Sequence, residues 1–103
     1  MYKLFLDNKR QPPPGSWIVA RSYEQFKDIV TKSGIPVLIS FDYDLTDDWK
    51  DKKTKTGMAC VNWLIDHIIN THQRCPEFLV HSQNREGAKK IREAMTAFQN
   101  GMQ

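Results

Sequence analysis

A chain of 103 residues can bury a core without disulfide or metal support, so residues 1–103 are expected to fold as a single domain. The formal net charge of +3 is mildly basic, and acids and bases interleave in Asp47-Asp48-Trp49-Lys50-Asp51-Lys52-Lys53, so charge alone does not mark a nucleic-acid binder and no DNA sequence recognition is expected. Cys60 and Cys75 lie in a chain with no apolar signal segment and no long uncharged stretch, and they read as free thiols of a soluble cytoplasmic protein without a membrane partner.

Leu4-Phe5-Leu6 reads as a first strand that stops at Asp7. The following Pro12-Pro13-Pro14-Gly15 excludes a helix interior and favours an extended or turning loop. Trp17–Arg21 reads as a short second strand. Ser22 then opens a helix, with Gln25 at the capping-box position and Phe26, Ile29 and Val30 on one face, and Gly34 and Pro36 close it. A third strand starts at Val37 and ends in Asp42-Tyr43-Asp44, followed by a polar loop from Thr46 to Lys55 without apolar periodicity.

A second helix is expected from Thr56-Gly57, with Met58, Val61, Leu64, Ile65, Ile68 and Ile69 at helical spacing. Phe78-Leu79-Val80 follows Pro76 as a last strand ending at His81-Ser82. Asn84 then caps a third helix that buries Ala88, Ile91, Met95 and Phe98. The order β-β-α-β-α-β-α, with right-handed crossovers, predicts a three-layer α/β domain with a four-stranded, mainly parallel sheet and helices on both faces.

Ligands of parallel α/β sheets bind outside the carboxyl ends of the strands. Three strands that end in Asp7, in Asp42 and Asp44, and in His81 and Ser82 therefore direct attention to one edge. Aspartates there suit a hard divalent cation such as Mg²⁺ or Mn²⁺, which takes oxygen ligands and bridges to phosphate; their plainer role is capping and turn formation. Alternation sends Asp42 and Asp44 to one face and Tyr43 to the other. His81 has the chemistry to move a proton and Ser82 and Asn84 to hold an anion at the start of the third helix, while Arg10 can grip phosphate oxygens in a bidentate way. Lys9 reads as a solvated loop residue. Trp17 and Trp49 are candidates to stack on a base.

Leu4-Phe5-Leu6-Asp7-Asn8-Lys9-Arg10 with Pro12 and Pro13, Ser40-Phe41-Asp42-Tyr43-Asp44-Leu45, Thr56-Gly57 and Val80-His81-Ser82-Gln83-Asn84 resemble the cyclic-phosphate processing receiver-like domains. The resemblance covers most of the chain. It implies a receiver-like (flavodoxin-like) fold stripped of the first helix and the last strand-helix unit. It further implies processing of a cyclic phosphate on a nucleotide or RNA end by metal-assisted hydrolysis, with Asp7, Asp42 and Asp44 around a Mg²⁺ or Mn²⁺ ion, His81 transferring a proton, and Arg10, Ser82 and Asn84 on phosphate oxygens. Asn8 stands where the family often has a second acid and Tyr43 where it usually has a histidine, which leaves phosphate binding without catalysis as the alternative.

Asp42-Tyr43-Asp44-Leu45-Thr46 also fits the D-x-D-x-T signature of haloacid-dehalogenase-like phosphatases, but after Ser82 only Glu86 and Glu93 could serve as their later acidic pair, and both fall within a helix. A phosphorylatable receiver would need a lysine after a fifth strand, which is missing. A zinc site at His72-x-x-Cys75 with His67 or His81 matches no common ligand spacing.

Overall fold

The structure is a computed structural model that describes residues 1–48 and 50–101. Among the described residues seven elements follow in the expected order: β1 (Lys3–Leu6), β2 (Ile18–Ala20), α1 (Tyr23–Ser33), β3 (Leu38–Phe41), α2 (Gly57–Thr71), β4 (Glu77–Val80) and α3 (Arg85–Gly101). The four strands form one all-parallel sheet in the order β2-β1-β3-β4. The receiver-like α/β class is therefore as expected.

Local chemistry accounts for the helix boundaries. The Ser22 hydroxyl accepts the Gln25 amide at 3.1 Å, and Gln25 Oε1 accepts the Arg21 amide at 2.7 Å, one residue before the cap. Gly34 ends α1 at φ 86°, a conformation that glycine adopts without cost, and its amide bonds to the Val30 carbonyl. Gly57 opens α2 for a steric reason: a Cβ there would lie 1.9 Å from the Asp42 carbonyl oxygen. The helix start can approach the end of β3 that closely only with a bare Cα, and the Gly57 amide bonds to the Tyr43 carbonyl at 2.6 Å.

Leu4, Leu6, Ile39 and Phe41 point to one face and meet Phe26 and Val30 of α1, Cys60, Val61, Leu64 and Ile68 of α2, and Ile91 and Met95 of α3 in a single buried cluster. Burial of such side chains contributes about 1.5–3 kcal/mol each. α1 packs beside α2 and α2 beside α3.

The helices thus form one layer rather than lying on both faces as expected. Strand order explains it. The steps β2 to β3 and β3 to β4 run the same way across the sheet, so right-handed crossovers put α1 and α2 on the same side. The step β1 to β2 runs the other way, and its connection, residues 7–17, is the proline-rich loop instead of a helix. On that second face Trp17 packs edge-on to Phe5, with ring centres 5.9 Å apart, and Lys3 Nζ lies 4.6 Å from the Trp17 ring centre. Trp17 is consequently a cover for Phe5 and not a free platform for a base; Trp49 lies outside the described residues. Among the described residues no helix is long and apolar enough to cross a membrane.

Candidate functional site

The parallel register aligns Leu6 with Phe41 and Phe41 with Val80. The next residues of the three strands, Asp7, Asp42 and His81, therefore stand in a row. Backbone bonds continue the ladder past the strand ends, from the Asp42 amide to the Leu6 carbonyl and from the His81 amide to the Phe41 carbonyl, both at 3.0 Å. Alternation turns all three side chains toward the loop-covered face, away from the helices.

One ligand atom from each of Asp7, Asp42 and His81 lies within 4.8 Å of the others, a grouping able to hold a metal ion. The expected trio was Asp7, Asp42 and Asp44. Asp44 is instead an exposed residue one step outward, where its carboxylate accepts Asn84 Nδ2 at 3.1 Å. The zinc alternative is not assembled among the described residues: the His/Cys/acid grouping found there is Asp7, Asp42 and His81, and the His67 ring stacks on Trp63.

Asp7 is 1% exposed. Its Oδ1 accepts the amides of Lys9 and Arg10, each at 2.9 Å, and its Oδ2 meets His81 Nε2 at 3.0 Å. Burial alone would push this carboxyl up, but the two amides and the imidazole together hold it below the usual carboxylate range. Asp42 goes the other way. Burial raises it and the Asp7 charge adds to the rise, against the bonds from the Ser82 hydroxyl and the Tyr43 amide.

His81 is fixed at both ring nitrogens. Nδ1 lies 2.7 Å from Ser40 Oγ, Nε2 contacts Asp7, and the ring stacks on Phe5 with centres 4.5 Å apart and planes within 6°. Ser40 is a site residue that sequence reasoning missed. Its signal was the register: it sits beside Phe5 and Leu79 in the row just below the acids.

Above this row opens a cavity of about 260 Å³ lined by Asn8, Lys9, Arg10, Asp42, Asp44, Thr46, Asp47, Ser82, Gln83 and Asn84. Of the three grouped residues Asp42 lines this cavity, and Asp7 and His81 do not. Arg10 Nη1 reaches the His81 carbonyl at 3.3 Å, tying the first loop to the last strand end. Arg21 holds that loop from the other side, with Nη1 at 2.6 Å from the Arg10 carbonyl and 3.2 Å from the Asp7 carbonyl. Lys9 is exposed, as expected of a solvated loop residue, and pairs with Asp47 at 2.9 Å.

Asn84 does cap α3, its Oδ1 accepting the Gly87 amide at 2.9 Å, while its own amide bonds to Ser82 Oγ at 3.1 Å. Its side chain is thereby committed to the cap and to Asp44. Tyr43 points away from the acids as expected and lies over Gly87, where a Cβ would come within 2.2 Å of the ring. The cavity wall thus offers one guanidinium, one ammonium, two hydroxyls and amide groups around carboxylates, a donor set suited to a phosphate that arrives with a cation.

The family model for the cyclic-phosphate processing receiver domain matches residues 2–97, nearly the whole chain and every element that builds this edge. No curated protein and no solved structure gives a significant match. With the motifs in order and the strand ends converged, the chain belongs to the cyclic-phosphate processing receiver domains.

Proposed function

We propose that the strand-end cavity receives the cyclic phosphate of a nucleotide or RNA end and that its opening is hydrolytic, assisted by Mg²⁺ or Mn²⁺ at Asp7 and Asp42 with Asp44 nearby. One observation carries this reading: the buried carboxylates of Asp7 and Asp42 stand together, and Asp42 lines a cavity that also offers Arg10, Ser82 and Asn84. Two carboxylates and a phosphate repel one another; Asp7 and Asp42 would hold a divalent cation, which would supply the missing positive charge and Lewis acidity toward the phosphate. The upward push on Asp42 by burial and by Asp7 is the mark of that uncompensated charge.

In this reading Arg10 and Ser82 hold phosphate oxygens, and Asn84 orients Asp44. His81 orients Asp7, because its two nitrogens are already engaged by Ser40 and Asp7. Water adds to phosphorus, one ring P–O bond breaks, and its oxygen takes a proton, leaving a phosphomonoester. The same double engagement of His81 favours a second reading, in which the chain binds the cyclic phosphate without turning it over.

Incubation of 2′,3′-cyclic mononucleotides with the protein, with and without Mg²⁺ or Mn²⁺, followed by ³¹P NMR, separates the two. Cation-dependent appearance of a phosphomonoester supports hydrolysis. A ligand-induced rise in melting temperature with no product supports binding alone, and neither response removes both readings.

A further inference from the structure

The cavity proposed for the phosphate has no aromatic side chain among its described lining residues, so a base attached to that phosphate finds no stacking face there. A second cavity, of about 460 Å³, opens on the same carboxyl edge of the sheet. It is lined by Ser22, Tyr23, Glu24, Asp51, Lys53, Thr54 and Lys55.

Two features join these cavities. The loop after β3 lines both, with Thr46 and Asp47 at the first and Asp51, Lys53, Thr54 and Lys55 at the second. β2 lies directly beside β1, with Ala20 level with Leu6, so the residues that follow them diverge from points about 5 Å apart. Arg21, two residues before Tyr23, bonds to the carbonyls of Asp7 and Arg10 and so ties the start of the segment that lines the second cavity to the loop that lines the first.

The second cavity has the composition of a single-strand nucleic-acid subsite, an aromatic face with cations around it. Lys27 Nζ and Lys55 Nζ lie over the Tyr23 ring, 5.0 and 5.7 Å from its centre, where a stacking base would displace them, and Lys53 adds a third ammonium. Of the two acids in the wall, Asp51 is committed locally: its carboxylate accepts the amides of Lys53 and Thr54 and the Thr54 hydroxyl. Those bonds shape the turn that presents Lys53 and Lys55. Tyr23 is anchored by packing on the core, which holds its ring in place.

Resting on the reading of the first cavity given above, we infer that the cavity beside Tyr23 is a second nucleotide subsite that takes the residue on the 5′ side of the terminal cyclic phosphate, so that the preferred ligand is an RNA end rather than a free cyclic nucleotide. The base stacks on Tyr23, and Lys53 and Lys55 neutralise the linking phosphate.

The test compares, in Mg²⁺, dissociation constants for uridine 2′,3′-cyclic phosphate, for a tetrauridylate ending in the same cyclic phosphate, and for a tetrauridylate ending in a 3′-hydroxyl. The cyclic-ended RNA should bind about tenfold more tightly than the mononucleotide. Tyr23→Leu, which keeps apolar contact with the core, should erase that advantage and leave mononucleotide affinity unchanged, and Tyr23→Phe should retain it. Lys53→Ala with Lys55→Ala should lower the salt dependence of RNA binding by about 0.7 log units per lysine.

Equal affinity for mononucleotide and RNA, or an advantage indifferent to Tyr23→Leu, overturns the subsite. If Tyr23-dependent binding of the 3′-hydroxyl RNA persists while the cyclic phosphate adds nothing, the subsite stands and the reading of the first cavity fails. Absence of binding by all three ligands overturns both.

Discussion

At the scale of single residues, the two buried aspartates are opposites made by their neighbours. Asp7 keeps its charge because amides and an imidazole surround it, whereas Asp42 holds a charge that burial and Asp7 both oppose. The consequences for stability have opposite sign. A carboxyl pushed up in the fold destabilises the cation-free protein at neutral pH, and that loss is relieved as pH falls through its raised value. A carboxyl held down contributes stability that disappears as pH falls through its lowered value. Cation-free melts from about pH 8 down to pH 3 should therefore pass through a gain and then a loss. Asp42→Asn should raise the neutral-pH melting temperature, abolish the gain on acidification and abolish stabilisation by Mg²⁺. A fall in melting temperature at neutral pH would instead give Asp42 a structural role.

Ser40 is the other residue whose removal is informative, since it holds His81 Nδ1 at 2.7 Å in a buried position. Ser40→Ala should cost about 1–2 kcal/mol in urea unfolding. It should also change the His81 ring ¹⁵N shifts, because the imidazole would no longer be held from both sides. An unchanged ring spectrum would show that stacking on Phe5 alone positions it.

Between elements, two glycines set how closely helices approach the acidic strand end, and they differ in what they meet. Gly87→Ala would collide with the Tyr43 ring, a side chain that can be trimmed, so its cost of about 1–3 kcal/mol should shrink in a Tyr43→Ala background. Gly57→Ala would collide with the Asp42 backbone. No side-chain change relieves that, so Gly57→Ala should cost at least as much and also weaken cation-dependent stabilisation by displacing Asp42. Urea titrations of the single and double variants, with and without Mg²⁺, read both effects.

All seven elements were legible in the sequence because their signals are local: capping at Ser22 and Asn84, Gly34 and the prolines as stops, and apolar stripes in the helices. The convergence of Asp7, Asp42 and His81 was legible for the same reason, each being the first polar residue after an apolar strand. Three features were not. Asp44 lies beyond the end of β3, where alternation no longer governs direction, and it turns to Asn84. The bond from Ser40 to His81 depends on register across strands. The ion pair of Lys9 with Asp47 joins two loops whose approach no periodicity encodes.

For the whole molecule, the decisive fact is strand order. Placing β2 outside β1 sends both helical crossovers to one side and leaves the other to a proline-rich loop, so the acids and His81 emerge on a face shielded by Trp17 and Phe5 rather than by a helix. That single-layer arrangement opens the carboxyl edge to a ligand over the ends of β1, β3 and β4 at once. It also makes the cavity a property of three separate segments. Substituting Arg10 by Lys should test that shared construction, because a point charge cannot both reach the His81 carbonyl and grip phosphate; weaker binding of a cyclic nucleotide is expected in calorimetry, and unchanged affinity would put Arg10 outside the site.

The most direct measurement is an amide chemical-shift titration of the ¹⁵N-labelled protein with a 2′,3′-cyclic mononucleotide in Mg²⁺. If the converged strand ends form one phosphate site, the amides around Asn8 to Arg10, Asp42 to Thr46 and Ser82 to Asn84 shift together with a common dissociation constant, and Asp42→Asn abolishes the response. Shifts confined to one of these segments or clustered at the opposite edge of the sheet, or a response that survives Asp42→Asn unchanged, would contradict it.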